Sequence, residues 1–196
     1  MAAGAVILLG GIAGGIALRE TTAPAARAAD AKAAVPYKLL DHNAHTVTAA
    51  SYPGKLQLVF FGFTHCPDVC PTTMARAAAL LTDLGPLAGK LQVLFITVDP
   101  KRDTPAALKD YLLAFDERIV GLTGSEEQIA AAAKAFGVYY VEHLTGFEDG
   151  EGAPDYAFDH SNAVYLVNDA GVLLRAYVID DANLCEDLRA VLERMK

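Results

Sequence analysis

Apolar residues are grouped along this chain in runs that predict alternating strands and helices from residue 36 onward. Leu56–Gly62 and Leu91–Val98 are apolar at nearly every position, which is typical of central strands buried on both faces of a sheet. Ala163–Val167 and Val172–Val178 predict two strands joined by the turn sequence of residues 168–171. The pattern also predicts short strands at Ile119–Leu122 and Val138–Glu142, and helices at Thr72–Leu84, Pro105–Phe115, Ser125–Phe136 and Asn183–Met195. Together these elements predict an α/β domain with a mixed sheet.

Capping residues stand at the predicted ends of two helices. Thr104 is placed to cap the helix that follows it, with Pro105 at the first helical position. Ser125 and Gln128 have the spacing of a capping box, and Gly137 follows the Ala-rich helix where a left-handed residue is often needed. These local signals support the helix boundaries that the apolar pattern predicts.

Acidic residues dominate the charge of the chain. Its net charge is −8 at pH 7 and its pI is near 5.0, which argues against binding to nucleic acid or to anionic lipid surfaces. Residues 145–159 are rich in Gly, Asp and Glu and predict an exposed insertion. We therefore expect partners that are neither nucleic acids nor acidic membrane surfaces.

The first 18 residues predict a membrane anchor or signal segment. Residues 2–18 are uncharged and consist of Ala, Gly, Val, Ile and Leu, a length close to the roughly 17–25 residues that span a bilayer. Residues 19–35 mix Ala, Thr and Pro with charges and predict a flexible linker. We expect an N-terminally anchored protein of the bacterial inner membrane, with residues 36–196 folded in the periplasm.

Two of the three cysteines, Cys66 and Cys70, stand four positions apart just after the strand predicted at Leu56–Gly62. Residues four apart lie on one face of a helical turn, so the two sulfurs can meet and hold a soft ion such as Cu(I) or Zn²⁺. The spacing alone also permits a structural disulfide, two buried thiols or thiol–disulfide exchange. A reactive pair after the first long buried strand is found in thioredoxin-like folds, which is an analogy of fold only. Cys185 predicts a buried free thiol in the last helix.

A third metal ligand is expected from one of the five histidines. His42 and His45 fall in a polar turn and are predicted to be solvated, and His65 adjoins Cys66 but is expected to point away from it. His143 ends a predicted strand and has no obvious partner. His160 precedes the strand Ala163–Val167, whose start should face the cysteine loop in a thioredoxin-like sheet, so His160 is the best candidate.

Several blocks of sequence around these residues resemble the SCO/SenC family. They are residues 60–71 (FFGFTHCPDVCP), 95–105 (FITVDPKRDTP), 121–124 (GLTG), 138–140 (VYY) and 159–161 (DHS). The resemblance extends in order over residues 36–196. It implies a thioredoxin-like fold with a mixed β-sheet flanked by helices.

The resemblance also implies a function. Members of this family bind one copper ion, as Cu(I) or Cu(II), and by position its ligands here are Cys66, Cys70 and His160. They assist assembly of the CuA centre of cytochrome c oxidase subunit II by delivering copper, by reducing the cysteines of that subunit, or by both. A periplasmic copper donor is a further expected partner.

Three carboxylates near these motifs are candidates for tuning the site. They are Asp68, Asp99 and Asp159, because a carboxylate beside a ligating imidazole fixes its tautomer and raises its basicity. Asp99 is also compatible with a simple turn role before Pro100. The competing functional hypotheses are a metal-free thiol–disulfide oxidoreductase, in which Cys66 attacks and Cys70 resolves, and a redox or copper sensor.

Overall fold

The computed structural model describes residues 34–144 and 156–195. Within these ranges no helix is long and apolar enough to cross a membrane, and the anchor predicted at residues 1–18 lies outside them. Most of the predicted linker also lies outside, but its last two residues do not. Ala34 forms a bridge with Val172 and Val35 is 1% exposed, so these two residues belong to the folded domain.

In the described residues the chain alternates strands and helices, as predicted. The strands are β1 (Lys38–Asp41), β2 (Thr46–Thr48), β3 (Leu56–Gly62), β4 (Leu91–Thr97), β5 (Val120–Thr123), β6 (Tyr140–Leu144), β7 (Tyr156–His160), β8 (Ala163–Val167) and β9 (Leu173–Val178). The α-helices are α1 (Val69–Asp83), α2 (Pro105–Leu112), α3 (Glu126–Phe136) and α4 (Leu184–Arg194).

Seven of these strands form one mixed sheet in the order β2-β1-β5-β4-β3-β8-β9. Strands β3, β4 and β5 are parallel, whereas β8 runs antiparallel to β3 and β9 antiparallel to β8. Every residue of β3 and β4 is buried, which requires cover on both faces of the sheet. The prediction of a mixed α/β sheet flanked by helices is confirmed.

Local sequence signals account for the ends of α2 and α3. The Oγ1 atom of Thr104 accepts a hydrogen bond from the backbone N–H of Ala107, and Ser125 and Gln128 form the predicted capping box. Gly137 ends α3 with φ of 69°, in the left-handed region. These three predictions are confirmed because each rests on a short-range interaction that tertiary packing does not need to supply.

Two predictions about the elements next to the cysteines and the histidine were wrong. Helix α1 begins at Val69 rather than Thr72, so Cys70 lies in its first turn and Cys66 lies in the preceding turn. Residues 156–159 are not an exposed insertion, since Tyr156–His160 is a strand. The acidic, Gly-rich composition of the preceding residues concealed the alternation of apolar and polar positions that begins at Tyr156.

Strands β6 and β7 form a separate two-stranded ribbon. They pair antiparallel in a register that places Tyr140 opposite His160 and Leu144 opposite Tyr156. The ribbon ends at His160, and only Ser161 and Asn162 separate it from β8. The predicted histidine ligand is therefore carried by this ribbon, at the end nearest the main sheet.

We predict that Gly137→Ala lowers the free energy of unfolding by about 1 kcal/mol, because a Cβ atom is disfavoured in the left-handed conformation. Space is not the obstacle, since no atom lies within 4 Å of the position that this Cβ would occupy. Gly89→Ala is the matched control: its Cβ also meets nothing within 4 Å, and its φ is not in the left-handed region. Urea denaturation of both variants checks the prediction, and equal stability of the two would contradict it.

Candidate metal centre

A buried carboxylate, Asp103, holds the cysteine loop (residues 63–68), which connects β3 to α1. Its Oδ2 atom accepts hydrogen bonds from the backbone N–H of Thr64, at 3.0 Å, and from Oγ1 of Thr97, at 2.6 Å. Its Oδ1 atom accepts a hydrogen bond from Oγ1 of Thr64, at 2.6 Å. Asp103 is 0% exposed, and burial raises the pKa of its carboxyl group while these donors oppose the rise. Asp103 thereby connects Thr64, two positions before Cys66, to Thr97 at the end of β4.

Cys70 occupies a confined position on α1 beneath this loop. It is fully buried, and its Sγ atom would lie 2.7 Å from a Cβ atom built on Gly62. Real Cβ atoms essentially never make so short a contact, so glycine at the end of β3 leaves room for this sulfur without displacing it. Gly62, at the end of the apolar strand β3, thus has no side chain where the Cys70 sulfur lies.

Cys66 lies on the more exposed side of the pair. Its own N–H donates to the carbonyl oxygen of Phe63 at 3.3 Å, which closes the turn. Its Sγ atom accepts a hydrogen bond from the backbone N–H of Cys70 at 3.5 Å. The spacing predicted that both cysteines lie on one turn of a helix. In the structure Cys66 closes a hydrogen-bonded turn before α1, and Cys70 lies in the first turn of α1.

The two thiols differ strongly in acidity. The hydrogen bond from Cys70 lowers the pKa of Cys66 to about 3, with the backbone N–H groups of Asp68 and Cys70 as further donors, although burial opposes the shift. The same hydrogen bond, together with burial, raises the pKa of Cys70. The pair therefore shares one proton at neutral pH: Cys66 is the thiolate and Cys70 retains its hydrogen.

His160 completes the group from the end of β7. Its Nε2 atom lies 3.4 Å from Sγ of Cys70, and its Nδ1 atom lies 3.0 Å from the carbonyl oxygen of Ser161. A carbonyl only accepts, so Nδ1 carries the proton of the neutral ring and donates to Ser161. The lone pair of Nε2 is then directed towards the sulfurs, as a metal ligand requires.

Cys66, Cys70 and His160 form a compact set of metal donors. One potential ligand atom from each residue lies within 4.8 Å of those of the other two, and no other such group is found in residues 34–144 and 156–195. Two sulfurs and one imidazole nitrogen are a soft donor set that fits Cu(I), and Zn²⁺ less selectively. The same two sulfurs are close enough to take part in thiol–disulfide exchange.

Comparison with known proteins identifies the family. A family model, SCO1/SenC, matches residues 25–195. The chain belongs to the SCO1/SenC family. The resemblance that the sequence blocks indicated is therefore confirmed, and it extends over nearly the whole length of the chain.

Relatives and solved structures within this family are similar throughout the domain. An SCO2-like protein of Rickettsia felis is 37% identical over 146 residues, which are 74% of this chain and 69% of that protein. The mitochondrial SCO2 homolog of Bos taurus is 41% identical over 143 residues, or 72% of this chain and 52% of that protein. The structure of Bradyrhizobium japonicum ScoI with copper bound is 37% identical, with a TM-score of 0.72, and the match covers 84% of this chain and all of that one. Yeast Sco1 with copper bound is 32% identical, with a TM-score of 0.66, covering 82% and 87% of the two chains.

The three carboxylates predicted to tune this SCO1/SenC site do not join the donor group. Asp68 is exposed at the N-cap position of α1 and its side chain makes no capping hydrogen bond. Asp159 is exposed and its carboxylate lies 4.0 Å from Nδ1 of His143. The expectation that a carboxylate fixes the tautomer of His160 was wrong, because the carbonyl oxygen of Ser161 takes that role. Asp99 is buried, and its carboxylate is bonded to Arg102 and to the hydroxyl of Tyr156.

Sequence reasoning missed Asp103 and Ser161 as parts of the site. Asp103 was not assigned a role in the site, and its one local signal is its position shortly after β4 beside Thr104. The carbonyl of Ser161 has no sequence signal, since every residue carries one. The prediction that His42 is solvated was also wrong, because its Nδ1 atom accepts a hydrogen bond from the backbone N–H of Gly121 at 3.1 Å. Cys185 was predicted to be buried and is only partly so.

We predict that alkylation of Cys66 in the metal-free, reduced protein is nearly independent of pH between 5 and 8. With a pKa of about 3, Cys66 is already a thiolate, so its rate with iodoacetamide should change by less than about twofold. Over the same range the alkylation rate of an ordinary thiol such as N-acetylcysteine falls by about tenfold for each unit by which the pH is lowered, which provides the control. A Cys185→Ser background and mass spectrometry of the peptides assign the label. A tenfold fall per pH unit at Cys66 would contradict the shared-proton description.

Proposed function

We propose that this chain is a copper-binding protein that holds one copper ion through Cys66, Cys70 and His160. The observation that carries the proposal is the convergence of the three donor atoms within 4.8 Å. The similar structures of Bradyrhizobium japonicum ScoI and yeast Sco1, both with copper bound, also support it. The soft donor set favours Cu(I), and the same ligands accommodate Cu(II).

Binding of Cu(I) requires both thiols to be ionised. Cys66 supplies a thiolate already, so one proton, that of Cys70, leaves when the ion enters. His160 presents Nε2 to the sulfurs, while Nδ1 faces the carbonyl of Ser161. The site is therefore organised for the ion before the ion arrives, which reduces the cost of binding.

Copper is the cargo of the proposed reaction and leaves by ligand exchange. Cys66 is partly exposed, whereas Cys70 is buried. An acceptor thiolate can approach the ion from the side of Cys66 and replace that ligand first. Cys70 and His160 would then hold the ion until the acceptor provides its remaining ligands.

We further propose that the acceptor is the CuA domain of cytochrome c oxidase subunit II. This proposal rests on the family to which the chain belongs and on what the resemblance of residues 60–71, 95–105 and 159–161 implies. The uncharged run at residues 2–18 supports anchorage in a bacterial inner membrane. The copper domain would then face the periplasm, together with the oxidase subunit and a periplasmic copper donor.

The asymmetry of the two thiols favours reduction of the acceptor as a second activity. The Cys66 thiolate would attack a disulfide of the partner, forming a mixed disulfide and releasing one partner thiolate. Cys70, after losing its proton, would attack the Cys66 sulfur and release the second partner thiolate. The partner gains two electrons, and the chain ends with a Cys66–Cys70 disulfide. This sequence of steps does not need His160.

We predict that His160→Ala weakens Cu(I) binding by at least about 100-fold, because the ion loses its nitrogen ligand. Titration of the reduced chain against a chromogenic Cu(I) chelator measures the affinity, and the thiolate-to-Cu(II) charge-transfer band gives a second readout. His143→Ala is the matched control, since His143 is exposed on β6 of the same ribbon. Unchanged copper affinity in His160→Ala would show that the proposed ligand set is wrong.

We predict that the two activities separate in the same variant. The copper-loaded wild type should generate CuA absorption in the soluble domain of oxidase subunit II, while His160→Ala should not. The metal-free His160→Ala protein should still reduce the disulfide of that domain at close to the wild-type rate, since Cys66 and Cys70 are intact. Loss of disulfide reduction in this variant would argue that reduction also depends on the imidazole.

A further inference from the structure

The position of His160 depends in part on side-chain packing, because its ribbon is not paired with the main sheet. In the described residues, β6 and β7 pair with each other and form no ladder with the seven-stranded sheet. Cys66 and Cys70, in contrast, follow directly from β3 and α1 of the main domain. The short link through Ser161 and Asn162 to β8, together with contacts between the ribbon and the main domain, therefore sets the distance between the imidazole and the sulfurs.

One face of β7 makes these contacts. Tyr156, Phe158 and His160 alternate along the strand and so share a face. The rings of Phe158 and His160 both pack against Phe63, with centroid distances of 5.5 Å and 5.9 Å. The His160 end of the strand is thus held by apolar packing on the residue that begins the cysteine loop.

The opposite end of β7 is held by a polar group of three residues, Tyr156, Asp99 and Arg102, which we call the Tyr156 latch. The Tyr156 hydroxyl donates to Oδ1 of Asp99 at 3.0 Å. The guanidinium carbon of Arg102 lies 3.7 Å from the centroid of the Tyr156 ring, and Arg102 is also paired with the carboxylate of Asp99. Each member of the latch contacts the other two, which fixes both the hydroxyl and the plane of the ring.

The latch and the cysteine loop share one anchor on β4. The backbone N–H of Asp99 donates to Oγ1 of Thr97 at 2.8 Å, and Asp99 is 1% exposed. The same Oγ1 atom donates to Asp103, and Asp103 binds Thr64 in the cysteine loop. A continuous series of buried and partly buried hydrogen bonds therefore connects Thr64 in the cysteine loop with Tyr156 in the ribbon.

We propose that Tyr156 is a positioning residue for the metal site: through Asp99 and Arg102 it clamps β7 so that His160 reaches the cysteine sulfurs. The latch acts at a distance of about 13 Å, the length of the four residue steps that separate Tyr156 from His160 along the strand. The proposal rests on the proposed function, since it treats His160 as a copper ligand. It adds a residue that touches neither the ion nor its ligands.

The first test uses the metal-free protein, so it does not depend on copper. Tyr156→Phe keeps the ring beneath Arg102 and removes the hydroxyl. We expect hydrogen exchange of the β6 and β7 amides to accelerate by about tenfold, the effect of losing one hydrogen bond to a charged acceptor. Amides of β3 and β4 that exchange only through global unfolding should accelerate by no more than the ribbon amides, because the same bond is absent from the globally unfolded state.

Tyr139→Phe is the matched control for this measurement. Tyr139 directly precedes β6, and it is 65% exposed, so loss of its hydroxyl should leave exchange in the ribbon unchanged. A ribbon in Tyr156→Phe that exchanges at the wild-type rate would overturn the proposal. Acceleration in β3 and β4 without acceleration in the ribbon would also overturn it, because the hydroxyl would then not hold the ribbon to the main domain.

The second test follows copper. We expect Cu(I) captured by a chromogenic chelator to leave Tyr156→Phe several-fold to about tenfold faster than wild type, because the imidazole is held less firmly. The thiolate-to-Cu(II) charge-transfer band should change in the same variant and not in Tyr139→Phe. A looser ribbon with unchanged copper release and an unchanged band would refute the positioning role.

The two tests separate this inference from the function on which it rests. Absence of stoichiometric copper binding by the wild type would contradict the proposed function, whatever the exchange data show. Normal copper binding by the wild type, with Tyr156→Phe identical to it in both tests, would contradict only the latch. Tyr156→Leu removes the ring as well and should give a larger effect than Tyr156→Phe in both measurements.

Discussion

The contact between Sγ of Cys70 and Nε2 of His160, at 3.4 Å, joins two parts of the molecule that no backbone ladder connects within residues 34–144 and 156–195. One part is the main sheet, which ends β3 in Gly62 and so leaves room for a buried sulfur. The other is the β6–β7 ribbon, which ends in the imidazole. The metal site exists because buried side chains hold these parts together, and Asp103 supports the sulfur side of the contact.

Chemistry at the site follows from the unequal burial of its sulfurs. Cys70 is buried and keeps its proton, and that proton stabilises the thiolate of the more exposed Cys66. An exposed thiolate backed by a buried thiol suits both a soft metal ion and thiol–disulfide exchange. The imidazole separates the two uses, since only metal binding needs the Nε2 lone pair. Copper delivery and reduction of a partner are thus compatible activities of one arrangement.

Much of this architecture could be predicted from sequence because it rests on local signals. Leu56–Gly62 was predicted with the bounds that the structure shows, since a continuous apolar run has few alternative structures. The ribbon strand at Tyr156 was missed because the acidic residues before it dominated the composition. Asp103 and the carbonyl of Ser161 could not be assigned, since one depends on burial between distant elements and the other on a backbone atom. The metal ligands themselves were predicted from residue type and position, and their convergence appears only in three dimensions.

X-ray absorption spectroscopy of the Cu(I)-loaded chain tests the central claim most directly, since it reports the atoms bound to the ion. We expect two sulfur scatterers and one imidazole nitrogen in the wild type, with the imidazole signal lost in His160→Ala and retained in His143→Ala. A first shell of sulfur alone in the wild type, or an imidazole signal that persists in His160→Ala, would contradict the assignment of Cys66, Cys70 and His160 as the copper site.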